Sequence, residues 1–366
     1  MDAAAPSFST LPTELLLQIL GFSLSCHPTP SSILCLNYPI YVLSFPLLYE
    51  HVRFHSTRGM SEFAQLGGEG SDSSVGQARL RAPVRIRTIT VEKVNEYGVF
   101  DALKSVFERT VQWQNAFDAW ESNCRLDDAM ERLDLGSGFE RGREKIQQVE
   151  LEELSLCLHS HTRNPRLEAV YEALALVNPT KFTWTGPDPD HHFSTAIVPQ
   201  ATFHLFQAVR HWSHLTHLKL TNIAFPNFSF PDIVFAHPSI LTQRNAATSP
   251  VAPEGYPLPR KLKAIYIGQA TFVPAELIAR FACSEEEGAE GVQEIRLVDV
   301  YVQSIWERRM RRGDVEIAAV ELLQYEEMVR KCEEEVVKRV RAVVRCEAKT
   351  ERIMGGDRVE RVGVLE

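Results

Sequence analysis

One spacing constrains this chain more than any other: apolar-x-x-apolar-x-apolar, recurring along its length. It occurs at Ile86/Ile89/Val91 ("IRTITV"), Leu151/Leu154/Leu156 ("LEELSL") and Leu215/Leu218/Leu220 ("LTHLKL"). It returns at Leu262/Ile265/Ile267 ("LKAIYI") and Val292/Ile295/Leu297 ("VQEIRL"). Weaker copies are "PTKFTW", with Phe182 and Trp184, and "RAVVRC", with Val344 and Cys346. Alternation within each copy puts the apolar residues on one face of a short strand and the intervening ones on the other.

Segments with helical spacing separate the copies: Val99–Trp120, Arg166–Val177, Ala201–Trp212 and Pro274–Ala282. The later copies lie about 30 to 48 residues apart, within the range of helix-containing repeats. A parallel strand needs such a crossover. The expected class is α/β, and an ordinary α/β sandwich is the competing architecture. The 225–260 stretch is rich in Pro and Phe and predicts a long loop with an aromatic anchor. A charged helix is expected over about Asp314–Val340, with the heptad-like stripe Ala318, Leu322, Tyr325, Val329, Cys332, Val336, Val340. It would dock along the last units or, alternatively, form a dimeric coiled coil. "CEAKTERIMGGDR" (346–358) predicts a last strand and turn that cap the open end.

The N-terminal stretch "STLPTELLLQIL" predicts a helix. Pro12 suits its first turn, Glu14 favours the positive end of the dipole, and Gly21 is placed to end it. Leu11, Leu15 and Ile19 repeat at i, i+4, i+8, with Leu16 and Leu20 beside them. The apolar face is therefore wide for so short a helix. Periodicity alone leaves open whether that face meets its own core or a partner. A second apolar stretch, Ser31–Phe54, is interrupted by Pro39 and Pro46. Gln65–Ala78 is Gly/Ser-rich and predicts a flexible linker.

Here the chain resembles a family. Leu11-Pro12-x-Glu14-Leu15-Leu16-x-x-Ile19-Leu20 resembles the first helix of an F-box, and Pro46-Leu47-Leu48-Tyr49-Glu50-His51-Val52 the segment that closes it in many fungal F-box proteins. Between them, where the family carries a polar-basic helix, stands "NYPIYVLSF", with neither a basic residue nor tryptophan. The later pattern resembles a degenerate leucine-rich-repeat array, lacking the usual Asn or Cys three residues past the last strand leucine. Those positions hold His159, Ile223, Ala270 and Val300. The resemblance implies a helical F-box-like module at 8–64, a linker at 65–80 and an irregular leucine-rich-repeat-like α/β solenoid at 81–366.

It also implies a function. The box would dock the adaptor subunit of an SCF-type cullin–RING ubiquitin ligase, and so its cullin scaffold, through Leu11, Pro12, Leu15, Leu16, Ile19 and Leu20. The repeats would present a target protein, whose identity the sequence does not give. Alternation assigns the target-binding face to Thr88, Thr90, Ser155, Cys157, Thr183, Thr185, His217, Lys219, Tyr266, Glu294 and Arg296. That mixed polar set with one aromatic suits a protein partner. The alternatives are a repeat scaffold without ligase docking and a small α/β enzyme with an unrecognised site.

Composition narrows the rest. The net charge of −9 (39 basic, 48 acidic residues) argues against a nucleic-acid partner. No apolar run is long enough to span a membrane. "LLLQILGFSLSC" lacks the basic segment a secretion signal needs. Seven scattered cysteines without a CxxC pair argue against a disulfide framework or zinc ribbon and fit a cytoplasmic or nuclear compartment.

No catalytic constellation, metal site or cofactor is expected. His211, His214 and His217 do not share a face. Cys157, His159 and His161 do, with Asp188, Asp190, His191 and His192 nearby in sequence, but they suit an exposed strand end. "GSGFERG" (136–142) has the wrong spacing for a dinucleotide loop, and neither GxSxG nor a Walker A loop is present. The Arg-rich "WERRMRRGD" (306–314) could meet phosphate or an acidic partner, or simply be a solvated face.

Overall fold

A computed structural model describes residues 11–66, 84–127, 148–188, 194–226, 261–283, 291–325, 332–350 and 363–365. Among the described residues, nine strands form one sheet in sequence order. They are β1 (His51–Phe54), β2 (Thr88–Glu92), β3 (Val149–Cys157), β4 (Val177–Thr185), β5 (His217–Thr221), β6 (Ala264–Ala270), β7 (Glu294–Val300), β8 (Val344–Ala348) and β9 (Gly363–Val364). All neighbours pair in parallel except the final pair, where β9 runs antiparallel to β8. Both weaker copies of the spacing are strands, β4 and β8. Sequence reading missed β1, although Tyr49, Val52 and Phe54 keep the spacing, and the two-residue β9.

Register aligns the spacing across the sheet. The second apolar position forms one file: Val52, Ile89, Leu154, Phe182, Leu218, Ile265, Ile295, Val344. The third forms another: Phe54, Val91, Leu156, Trp184, Leu220, Ile267, Leu297, Cys346. Every member but the half-buried Val52 is buried in one continuous core. A one-residue slip anywhere would turn a strand's apolar set to solvent, so this patterning fixes the register.

Helices cover the apolar face. They are α4 (Thr57–Gln65), α5 (Val99–Asp127), α6 (Glu168–Leu174), α7 (Pro199–Val209), α8 (Ala275–Cys283), α9 (Arg312–Tyr325) and α10 (Glu333–Val343). Successive ones pack side by side: α4 on α5, α5 on α6, α6 on α7, and α8 on α9 and α10. Two tryptophans lock the middle. Trp184 donates to the Leu158 carbonyl and Trp212 to that of Leu174, each at 3.1 Å, so neither indole N–H is left unsatisfied in the core.

Among the described residues, three further helices precede β1: α1 (Thr13–Cys26), α2 (Pro30–Leu34) and α3 (Tyr38–Glu50). They enclose a small separate core of Leu20, Leu24 and Ile33, flanked by Leu16, Ile40, Leu43, Leu47 and Leu48. The opposite side of α3 carries Tyr41, Phe45 and Tyr49 into the main core. α3 thus joins the helical module to the sheet and runs directly into β1. The last residues of the 8–64 segment, from His51 on, build onto the sheet and its core.

Three expectations need correction. α1 does not end at Gly21. It continues to Cys26 and stops at His27, which is extended because Pro28 follows. The second apolar stretch is not broken at Pro46, which lies inside α3. Its missing N–H leaves the Val42 carbonyl without its helical partner, and burial on both sides of α3 outweighs that loss. Pro39 sits in the first turn, where Asn37 caps the helix by accepting the Ile40 N–H at 2.9 Å. Finally, the single helix over 314–340 is two. α9 and α10 pack on each other, and Cys332, expected mid-stripe, is the N-cap of α10. The stripe is therefore split between two helices that bury Ala318 and Leu322 on one and Val336 and Val340 on the other. Apart from Gln65 and Leu66, the 65–80 linker lies outside the described residues, as do most of the 225–260 loop, all of 136–142 and 355–358, and Asp190, His191 and His192.

Candidate protein-recognition surfaces

The first surface is on α1. Pro12 is its N-cap, one position earlier than expected, and its carbonyl accepts the Leu16 N–H. Leu16, Leu20 and Leu24 turn inward to the small core. Leu11, Leu15 and Ile19 are 37 %, 47 % and 42 % exposed, and Phe22, one turn on, is 72 % exposed. The six residues assigned to ligase docking therefore separate. Leu11, Leu15 and Ile19 line an outer stripe, Leu16 and Leu20 hold the helix down, and Pro12 starts it. Phe22 was missed because the helix was expected to stop at Gly21. The same module exposes Leu36, Tyr38 and Val42. Isolated exposed apolar residues are ordinary; here four stand at helical spacing along one stripe of α1.

The second surface is the outer face of the sheet. All eleven residues assigned to target binding lie on it. The middle file, between the two apolar files, is Arg53, Thr90, Ser155, Thr183, Lys219, Tyr266, Arg296 and Arg345. One flanking file holds His51, Thr88, Glu153, Lys181, His217, Ala264 and Glu294. The other contains Glu92, Cys157 and Thr185, followed in register by Thr221, Gly268, Val298 and Glu347. Arg53, Lys181 and Arg345 were missed; extending the alternation to β1 and β8, and two residues earlier in β4, would have found them.

Contacts along this face are specific. Tyr266 lies between two cations, with Lys219 Nζ 5.5 Å and the Arg296 guanidinium 5.9 Å from its ring centre. Arg296 donates two bonds to Glu347 (3.0 and 2.7 Å), which hold its pKa above the ordinary arginine value. Arg53 lies 3.7 Å from Glu92, and His51 Nδ1 is 2.9 Å from the Thr88 hydroxyl.

A polar column marks the strand exits. Asn222, Gln269 and Asp299 stand two residues past the last strand apolar of β5, β6 and β7, all with φ near +50°. Asn222 donates to Gln269 at 2.6 Å, and its backbone carbonyl accepts the N–H groups of Ala196 and Ile197. Left-handed backbone suits Asn and Asp because their short side chains bond locally. The positions three residues past the strand apolar are still His159, Ile223, Ala270 and Val300, and the left-handed polar residues stand one position before the last three. Gly186 occupies the corresponding place after β4, where a Cβ would lie 2.9 Å from that of Ala196 and 3.0 Å from that of Asn222.

The other candidates resolve into structural roles. Among the described residues, no group of three His, Cys, Asp or Glu side chains is placed to hold a metal. His211 follows α7, and burial lowers its pKa, while His217 lies on β5. His159 faces Asp188 at 3.3 Å, and its ring lies 5.6 Å from that of His161. The arginines of 306–314 are occupied within the fold. Arg308 grips Asp314 through two bonds, Arg309 meets Asp299, and Arg312 meets Glu316. A cleft of about 420 Å³ at the strand starts is lined by Arg85, Arg87, Glu150, Glu152, Thr180 and His214. Within it Arg87 bridges Glu152 and Glu50, and Glu150 lies 3.8 Å from His214. The six cysteines described are free, and burial pushes the Cys346 thiol up to about 12, which leaves it unreactive. No described helix is long and apolar enough to cross a membrane.

No protein-family model matches the chain, and no curated protein or solved structure does so either.

Proposed function

We propose that this chain is a non-enzymatic adaptor: an F-box-like module that docks the adaptor subunit of an SCF-type ubiquitin ligase, and with it the cullin scaffold, joined to a leucine-rich-repeat-like solenoid that presents a target protein. The observation that carries this reading is the division of labour on α1. One leucine face anchors the helix to its own small core, while Leu11, Leu15, Ile19 and Phe22 stay exposed. A helix held from behind with an apolar stripe in front is suited to helix-in-groove docking. The sequential parallel strand order supports the solenoid, since each unit contacts its neighbours and leaves one long face open. Ubiquitin transfer would be carried out by other subunits, in the cytoplasm or nucleus.

The test is a pull-down of the purified ligase adaptor subunit by the intact chain and by a Leu15→Asp/Ile19→Asp variant, both shown to be folded by circular dichroism. Both substituted residues are exposed, so the variant keeps its fold. Binding lost in the variant is the expected result. A folded intact chain that captures no adaptor subunit overturns ligase docking. The absence of a basic residue or tryptophan in 37–45 would then favour the repeat scaffold.

A further inference from the structure

We infer that the middle file of the open sheet face binds an extended acidic segment of the target protein, laid across the strands. This rests on the reading of that face as the target-binding surface. Each of eight adjacent parallel strands contributes one side chain to the file, four of them cationic (Arg53, Lys219, Arg296, Arg345). The other four are the hydroxyls of Thr90, Ser155, Thr183 and Tyr266. Every one can donate a hydrogen bond and none is a carboxylate.

The carboxylates of this face stand in the flanking files, and two are already engaged: Glu347 by Arg296 and Glu92 by Arg53. No described carboxylate lies within ion-pair distance of Lys219 or Arg345, which are both exposed. The Lys219 ammonium lies over the Tyr266 ring, 5.5 Å from its centre. Strands about 4.8 Å apart make the file about 34 Å long, the reach of about ten extended residues. Acidic side chains on such a segment would meet cations at both ends and hydroxyl donors between them.

The chain as a whole carries −9 and repels an acidic peptide, so capture must come from a local field. At physiological salt, charges beyond about 8 Å are largely screened, which makes the file rather than the net charge decisive.

The probe is fluorescein-labelled oligo-glutamate, with oligo-glutamine as control, titrated against the intact chain by fluorescence anisotropy. The expected result is preference for oligo-glutamate, weakened by salt and reduced at least about tenfold in Lys219→Glu/Arg345→Glu. Lys219→Gln/Arg345→Gln, reduced by less, serves if charge reversal prevents folding. Equal binding of the two peptides, or oligo-glutamate binding unchanged in both variants, overturns the inference. The Leu15→Asp/Ile19→Asp chain should bind the peptide as the intact chain does. The assay contains no ligase subunit, so its failure leaves docking through α1 standing, and a failed pull-down leaves this inference standing.

Discussion

Asp299 and Arg309 meet in an ion pair at 3.0 Å, with 2 % and 1 % of their side chains exposed. Asp299 also accepts the N–H groups of Lys349 and Thr350 and the Thr350 hydroxyl, while Arg309 donates to the Thr350 carbonyl at 2.6 Å. One left-handed residue at the exit of β7 thereby fastens the chain that leaves β8.

Removing one member of such a pair strands the other. Asp299→Ala should cost about 3–5 kcal/mol, measured by urea unfolding, because the buried Arg309 charge loses the carboxylate it pairs with. Asp299→Ala/Arg309→Met should recover part of that loss. A double variant no more stable than Asp299→Ala would show that the backbone contacts of Asp299, rather than the charge pair, dominate.

Two glycines should respond with opposite signs. A Cβ at Gly21, in the body of α1, meets nothing within 4 Å. Gly21→Ala should therefore stabilise by about 0.5–1 kcal/mol through lower unfolded-state entropy. Gly186→Ala places a Cβ against Ala196 and Asn222 and should cost about 1–3 kcal/mol. Melting temperatures of the two variants check both directions.

Within α1, exposure predicts which leucines are structural. Leu20→Ala opens a cavity in the small core and should cost about 2–5 kcal/mol. Leu15→Ala, on the outer stripe, should leave stability within about 0.5 kcal/mol of the parent. Equal losses at the two positions would mean that the stripe is covered within the protein.

Acid should loosen α9 from α10. Two bonds from Arg341, each 3.0 Å, hold the Glu316 carboxyl below its ordinary range. Because the folded pKa is the lower one, this contribution is present above the unfolded carboxyl value and is lost as pH falls through the folded value. Urea midpoints should fall on acidification below about pH 5, and less steeply in Glu316→Gln.

The strands were legible because their spacing repeats and alternates. Even the degenerate copy at Phe182 and Trp184 kept the two positions that the register buries. Lengths were less legible where local signals competed with packing. Gly21 and Pro46 are helix breakers by propensity, yet each sits inside a helix held by leucines or aromatics on its flanks. The 314–340 stripe kept a helical period through the point where the chain turns, so periodicity alone could not reveal two helices. The outer sheet face followed from alternation, but its ordering into files required the register. Asn222, Gln269 and Asp299 were missed as a set because their shared left-handed backbone leaves no mark in the spacing.

Each described strand pairs with its neighbours in sequence, so no pairing among them skips a unit. Damage should therefore stay local and depend on position. A broken unit near β1 or β8 would fray one end and leave the rest of the ladder closed. The same break at β4 or β5 would sever the helical module from the far half of the sheet, separating whatever the two surfaces hold.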